Sequence, residues 1–236
     1  MVSEVKVKWL GHAFFAVTSS QGRVILMDPW IEGNPSCPIK AQDIDKADVI
    51  MVSHDHFDHA GDAVRLAQNT GAMVVAQPET ANRFKTALGL ADNQVVNAGF
   101  GMNIGGTVEV KGINITMTQA FHSSETGSPC GYIVKIENGK TFYHAGDTGL
   151  FGTMKELGEI YPIDVALLPI GGCFTMDPVQ AAKAVELLNP KVVIPMHFKT
   201  FPFLVQEPGG FVNLIQNKKP GVKTIVLTPG QEYILE

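Results

Sequence analysis

Cysteine is scarce in this chain, and so is any long apolar run. The three cysteines, Cys37, Cys130 and Cys173, are widely spaced and form no Cys-x-x-Cys pair. An odd, scattered set argues against a disulfide framework and against structural zinc held on paired thiolates, and it fits a reducing compartment. No stretch approaches the roughly 20 apolar residues that cross a bilayer. The opening segment, MVSEVKVKWLGHAFFAV, alternates charge with apolar residues and lacks the apolar centre of a signal peptide. A soluble, cytoplasmic protein with no membrane partner is expected. Basic residues are also in short supply: 18 Lys and Arg stand against 23 Asp and Glu, a net charge of -5. A nucleic-acid backbone needs clustered Lys and Arg, so nucleic acid is not the expected partner.

What the chain has is a large apolar share, 45% of 236 residues, which suits one substantial core. No internal repeat or break in composition divides it, so one domain over 1–236 is expected. Strands are predicted at 5–10, in FFAVTS and RVILMD, and at 48–53, where DVIMVS reads as a strand buried on both faces. The intervening segment 29–46 is too rich in proline and breakers for either regular element. A helix is expected after residue 59, ended by Gly71, then a strand at 73–76 and a helix at 78–89 with Pro78 in its first turn. QVVN, TVEV, INITMT, CGYIVKIE and KTFYHAG read as strands between 94 and 146. Beyond them a short helix near 152–160 precedes a strand at 163–170. A helix over 177–190 has Asp177 as N-cap and Pro178 at its first position. A strand at 191–196, a helix near 211–217 and a strand at 223–228 complete the pattern. Two blocks of strands, each followed by helices, predict two face-to-face sheets with helices outside.

The densest chemistry lies in SHDHFDHAGD, residues 53–62, with three histidines and three aspartates. Side chains alternate along an extended segment, so His54, His56 and Asp58 can share one side, with His59 where the next helix begins. Imidazole suits zinc and neighbouring transition metals, and carboxylate adds neutralising charge. Four such donors exceed what one tetrahedral ion needs once a position is kept for water. The economical reading is two ions, one on His54 and His56, the other on Asp58 and His59. The plainer alternative is a polar, solvated loop.

His54-x-His56-x-Asp58-His59 resembles the HxHxDH signature of the metallo-β-lactamase fold superfamily. His122 in AFHSSE, Asp147 in HAGDTG and His197 in IPMHFK match the later ligands of that family in order, each after a predicted strand. WLGHAFF, GGCFTMDPVQAAKAVELLNP and PMHFKTF are similar to the branch of ascorbate-6-phosphate lactonase-like and uncharacterised metal-dependent hydrolases. The resemblance implies an α/β fold, a four-layer αββα sandwich of two mixed β-sheets flanked by helices. It implies two divalent metal ions, one on His54, His56 and His122, the other on Asp58, His59 and His197, with Asp147 bridging. Zinc is the first expectation, with manganese, iron and nickel as alternatives. The implied activity is hydrolysis of an ester, lactone or phosphoester bond in a small-molecule substrate; the lactonase likeness favours a lactone or other carboxylic ester, with a phosphorylated substrate as one option. Asp58 and Asp147 are the candidate catalytic carboxylates, Asp58 because it can also orient the attacking water or pass a proton. A homo-oligomer is implied by the family.

Other residues carry two readings each. His12 is a candidate for the site or for substrate, against a hydrogen-bonded structural histidine. His144 is read as supporting the ligands or as core, and Asp28 as supporting the metal loops or as turn chemistry before proline. Gly146 and Gly149 are expected to let the chain turn beside Asp147. The glycines at 171–172 are a weak phosphate-cradle signal, Cys173 is read as structural, and Lys199 is a candidate phosphate contact or a surface lysine. Segments 29–38 and 198–211 are the candidate substrate-shaping loops. Rival functions are a phosphodiesterase or ribonuclease of the same fold and a non-catalytic metal-binding protein. An exported β-lactamase, with cysteine in place of Asp147, and a flavodiiron protein, with glutamate in place of His56, fit the residues less well.

Overall fold

Alternation in VKVKW turns Val5, Val7 and Trp9 to the interior and Lys6 and Lys8 outward, which is the pattern of a half-buried strand. The computed structural model, which describes residues 4–235, builds two sheets from such segments. The first holds β1 (Val5–Trp9), β2 (Phe15–Thr18), β3 (Val24–Met27), β4 (Val49–Met51), β5 (Met73–Val75) and β13 (Glu232–Leu235), in the order β13-β1-β2-β3-β4-β5. The second comprises β6 (Thr107–Val110), β7 (Ile113–Gln119), β8 (Cys130–Lys135), β9 (Thr141–His144), β10 (Val165–Pro169), β11 (Val192–Met196) and β12 (Lys223–Thr224), ordered β12-β11-β10-β9-β8-β7-β6. Both sheets are mixed, and helices cover their outer faces, giving the expected αββα sandwich. The helices are α1 (Phe57–Ala60), α2 (Ala63–Thr70), α3 (Pro78–Leu88), α4 (Met154–Ile160), α5 (Pro178–Leu188) and α6 (Gly209–Lys218).

One apolar cluster fills the space between the sheets, with Phe15, Met51, Tyr132 and Phe142 among its buried members, and it continues under α5 and α6. The second lies between the first sheet and α2 and α3, around Phe14, Ile50, Leu66 and Phe84. Strand β4 feeds both, Val49 and Met51 inward and Ile50 outward, as its unbroken apolar run requires. Among the described residues no helix is long and apolar enough to cross a membrane.

Strand direction decides where the site can form. β1 and β2 are antiparallel, as are β2 and β3, and β3 is parallel to β4, so β1, β3 and β4 all run one way. In the second sheet β7 and β8 are antiparallel, as are β8 and β9, while β9, β10 and β11 are parallel. The carboxyl ends of β1, β3 and β4 in one sheet and of β7, β9, β10 and β11 in the other therefore lie along one rim of the sandwich. Open α/β sheets place their ligands at such ends.

The elements differ from the sequence reading at four places. QVVN is not a strand: Asp92–Gln94 form a 3-10 turn, Val95 makes only an isolated bridge to Val74, and Asn97 and Ala98 adopt left-handed φ of 54°. The segment after 59 forms two helices, α1 and α2, separated at Gly61-Asp62, where the Asp62 carboxylate accepts hydrogen bonds from the backbone N–H groups of Ile31 and Glu32. The strand expected at 223–228 pairs only over Lys223–Thr224. Ile225 donates to Val193, but the next bond would need an N–H from Pro195, which has none. Strand β13 was not anticipated, although EYIL alternates along its length.

Candidate metal centre

The rim gathers its polar residues from strand ends. His12, His54, His122 and Asp147 each lie three residues beyond β1, β4, β7 and β9, and Asp28 and His197 directly follow β3 and β11. His12, Asp28 and His197 take left-handed φ of 56°, 48° and 56°, a conformation that L-residues adopt only when the surroundings enforce it. Three such residues at one rim show that the fold holds backbone strain there.

The seven predicted ligands converge. His54, His56 and His122 offer ligand atoms within 4.8 Å of one another, as do Asp58, His59 and His197, a group that His12 joins. Asp147 lies between the two groups. Its Oδ2 is 3.0 Å from His197 Nε2, 3.3 Å from His59 Nε2 and 3.6 Å from His122 Nε2. Asp147 Oδ1 and His59 Nε2 are buried without a hydrogen-bond partner, so the short separation from Asp147 to His59 is not an aligned hydrogen bond. A buried polar atom left without a partner costs about 1–3 kcal/mol. Nitrogen and carboxylate oxygen turned toward each other in this way suit a divalent cation between them.

Three of the ligand imidazoles, those of His54, His59 and His122, are oriented from behind, whereas His197 Nδ1 is buried without a partner. Ser53 Oγ donates to Asp28 Oδ2 at 2.6 Å and so accepts from His54 Nδ1 at 3.0 Å, leaving His54 Nε2 unprotonated beside His56 Nδ1 at 2.9 Å. His59 Nδ1 donates to the same Asp28 oxygen at 2.7 Å, which frees its Nε2 toward Asp147. His122 Nδ1 donates to the Phe174 carbonyl at 3.1 Å, leaving its Nε2 as the ligand atom. A carboxylate or carbonyl behind an imidazole fixes its tautomer in this manner. Asp28 thus serves two histidines, one directly and one through Ser53, which gives it the supporting role rather than simple turn chemistry. His144 Nε2 donates to Ala13 O at 3.0 Å and its Nδ1 accepts from Gly146 N–H, so it ties the two sheets together behind the centre.

Electrostatics hold the donors in ligating form. Burial would raise the Asp147 carboxyl, but His197 and His59 outweigh it and keep the group well below the usual carboxylate range. Burial likewise opposes ionisation of Asp58, and the hydrogen bond from His12 overcomes it. Burial and the neighbouring His59 pull His54 down to about 3, and burial with His197 pulls His12 down to about 4. Burial also lowers His122. His59 goes the other way: burial pushes it down, yet Asp147 and Asp28 raise it well above its ordinary value. A cation arriving here finds the Asp58 and Asp147 carboxylates ionised and the His54 imidazole neutral, and must displace a proton at His59.

A search for known sequences resembling this one matches residues 23–198 to the beta-lactamase superfamily domain. A UPF0173 metal-dependent hydrolase from Nitratidesulfovibrio vulgaris is 48% identical over 233 residues, covering 99% of this chain and 96% of that protein. Another from Thermococcus kodakarensis is 46% identical over 237 residues, covering 98% and 100%. Among solved structures, a metallo hydrolase from Ignicoccus hospitalis superposes with a TM-score of 0.89 at 39% identity, covering 99% of both chains. This chain belongs to the metallo-β-lactamase superfamily. Within it, the chain falls with the UPF0173 metal-dependent hydrolases.

Other features of the rim were only partly visible in the sequence. Gly146 has φ of 59°, and a Cβ there would lie 2.5 Å from Cys130 O and 2.8 Å from Ser53 Cβ, so Asp147 enters through a turn that only glycine fits. Gly149 has no such constraint, since its Cβ would meet only Phe121 O at 3.9 Å. Gly171 is not a phosphate cradle: a Cβ there would sit 2.1 Å from His197 O, so it makes room for the His197 turn. Cys173 is exposed. Lys199 points to solvent, with Nζ 3.4 Å from Glu207.

Sequence reasoning passed over Asp55. Turned away from its histidine neighbours, its carboxylate accepts from Ser124 Oγ at 2.8 Å, the N–H of Glu125 at 2.8 Å and the N–H of Thr126 at 3.1 Å. It also takes the Thr126 hydroxyl and Arg83 Nη1 at 2.7 Å. It fastens the loop carrying His122 to the loop carrying His54 and His56. The only signal for this in the sequence is the acidic residue at the odd position of the cluster.

A cavity of about 420 Å³ opens onto Asp58, His122, Asp147 and His197 and is walled by Phe57, Phe174, Phe201 and Phe203. Segment 198–211 therefore supplies part of the wall, while 29–38 contributes no described lining residue and only backs the wall with Trp30, which packs behind Phe57 and Phe201. A larger cleft of about 550 Å³ on the outer face of the second sheet, near Thr116, Ile133 and Lys135, gathers no ligating cluster among the described residues.

Proposed function

We propose that the chain is a binuclear metal-dependent hydrolase of small molecules, with residues 1–236 acting as one catalytic unit. His54, His56 and His122 would hold one divalent ion and Asp58, His59 and His197 the other, with Asp147 shared. The observation that carries this reading is Asp147 Oδ2, which stands within 3.6 Å of imidazole nitrogens from both groups. Zinc suits the histidine-rich donors, and manganese, iron or nickel accept the same set. Such ions, when bound, supply Lewis acidity to a carbonyl or phosphoryl oxygen and lower the pKa of a water toward neutrality.

The protein's own groups complete the chemistry. Asp58 is ionised, reaches the cavity and is held by His12 Nε2 at 3.2 Å, which positions it to orient the attacking water and carry a proton to the leaving group. His12 is itself fixed by Thr200 Oγ1 at 3.0 Å from its Nδ1. The experiment is to compare metal-loaded protein, chelator-treated protein and folded Asp147→Ala on a nitrophenyl ester, a lactone and bis-p-nitrophenyl phosphate. Turnover of at least one by the loaded protein alone supports the reading and selects the bond. No turnover by protein shown to carry two ions would remove it in favour of a non-catalytic metal-binding protein.

A further inference from the structure

The wall of the cavity is aromatic and continuous. Phe57 packs edge-on against Trp30 at 5.5 Å between ring centroids. Trp30 stacks on Phe201 at 6.0 Å, Phe201 on Phe203 at 5.4 Å, and Phe203 meets Phe174 edge-on at 5.7 Å. The arc begins beside Asp58 and ends at Phe174, whose carbonyl orients His122. Three of its rings are more than half exposed: Phe57 at 67%, Phe174 at 56% and Phe203 at 58%. Large apolar side chains grouped at the mouth of a cavity mark a binding surface, since isolated exposure needs no explanation but a contiguous patch does.

Charge separates the candidate occupants. Among the described residues no lysine or arginine lines the cavity. Arg83 Nη1 is committed to Asp55 at 2.7 Å and to Glu125 at 2.6 Å, and Lys199 lies against Glu207. The one ionisable side chain at the mouth outside the candidate ligands is Glu125, an anion. A phosphate or carboxylate carried away from the scissile bond would meet Glu125 and phenylalanine edges, with no cation to receive it.

We propose that the substrate of this site is an uncharged molecule whose aromatic or alkyl portion lies along the Phe57, Phe201, Phe203 and Phe174 rings, with Trp30 backing them and the scissile group over the Asp58–Asp147 floor. The proposal rests on the hydrolase reading for the position of the scissile group, but the arc's selectivity can be read without turnover. It excludes phosphorylated sugars and lactones as the preferred class. Burial of each added methylene is worth roughly 0.8 kcal/mol, so affinity should tighten about fourfold per methylene until the arc is filled.

The test uses metal-loaded protein and non-hydrolysable alkyl 4-nitrophenyl ethers, whose nitroaromatic ring, seated on Phe57 or Phe201, quenches the fluorescence of Trp30 packed directly behind them. Propyl, butyl and pentyl ethers should quench saturably with about fourfold steps in Kd. 5-(4-nitrophenoxy)pentanoate, which places a carboxylate at the chain end, should bind at least tenfold more weakly than the pentyl ether. Phe174→Ala/Phe203→Ala should flatten the chain-length steps while the protein keeps its two ions and its circular dichroism. This pattern supports the proposal even if no ester, lactone or phosphodiester is turned over, in which case only the hydrolase reading fails. Absence of saturable quenching, or binding that ignores chain length, or a preference for the carboxylate, would overturn it. So would a double variant that binds as the parent does but loses self-association, because the arc would then be a subunit contact.

Discussion

Replacing Asp28 by asparagine changes the chemistry of the centre's support while keeping its shape. The carboxylate accepts Ser53 N–H on Oδ1 at 2.7 Å, and on Oδ2 it accepts both Ser53 Oγ at 2.6 Å and His59 Nδ1 at 2.7 Å. Asparagine has one acceptor oxygen. If that oxygen stays with the backbone N–H, its amide NH₂ faces two former donors. His59 must then accept at Nδ1 and carry its proton on Nε2, the atom turned toward Asp147. Ser53 Oγ must also turn, and with it goes the bond that leaves His54 Nε2 unprotonated. Loss of an outer partner of this kind costs 10–100-fold in metal affinity, about 1.4–2.8 kcal/mol. Titration of chelator-stripped Asp28→Asn with zinc, in competition with a chromogenic chelator, should show at least one binding step weakened by roughly that factor. Near-parental affinity for both steps, in a variant of unchanged fold, would refute the assignment of Asp28 as the group that sets the two tautomers.

Three further outcomes follow from the same geometry. Gly171→Ala would place a Cβ 2.1 Å from His197 O, so the His197 turn must move. Overpacking of this kind costs about 1–3 kcal/mol, and a thermal melt should fall by roughly 2–12 °C with metal affinity weakened, whereas an unshifted melt would contradict the close contact. Asp55→Ala should release the 123–126 loop, costing about 1.5–3 kcal/mol in denaturant midpoint and loosening the ion on the His122 side; a change at the Asp58 side alone would contradict it. The metal-free protein should be most stable near pH 6.5. Below that pH the unfolded chain protonates histidines that the folded chain keeps neutral, His12 down to about 4 and His54 to about 3, so stability falls as pH drops toward 4. Above it the folded chain holds a proton at His59 that the unfolded chain releases, so stability falls as pH rises through the elevated His59 value. Urea melts of chelated protein at pH 4.5, 6.5 and 8.5 would contradict this if stability rose steadily in either direction.

How much of this was legible in the sequence depends on how local each feature is. The ligand-type residues of 54–59 are neighbours in the chain, and His122, Asp147 and His197 each follow a strand, so their kind and order can be read off directly. Helix α5 is equally local: Asp177 accepts from Gln180 N–H at 2.8 Å, as its N-cap pattern predicts. The contacts that tune the rim are not local. His12 meets Thr200 across 188 positions and Asp58 across 46, and Asp55 holds a loop some 70 residues away. No spacing in the sequence announces those pairs. The aromatic arc is likewise assembled from four separate segments, around Trp30, Phe57, Phe174 and Phe201–Phe203, so its continuity is not visible in any one of them. QVVN looked like a strand because its apolar run is real; the left-handed turn at Asn97-Ala98 that breaks it is not encoded by hydrophobic pattern.

The central claim is that one aspartate is shared by two donor sets. Elemental analysis of the protein purified without added metal or chelator, beside Asp147→Ala, tests it most directly. Close to two ions per chain in the parent, with loss in the variant, is the predicted result. One ion or none in the parent, unchanged in the variant and not raised by added zinc or manganese, would contradict it.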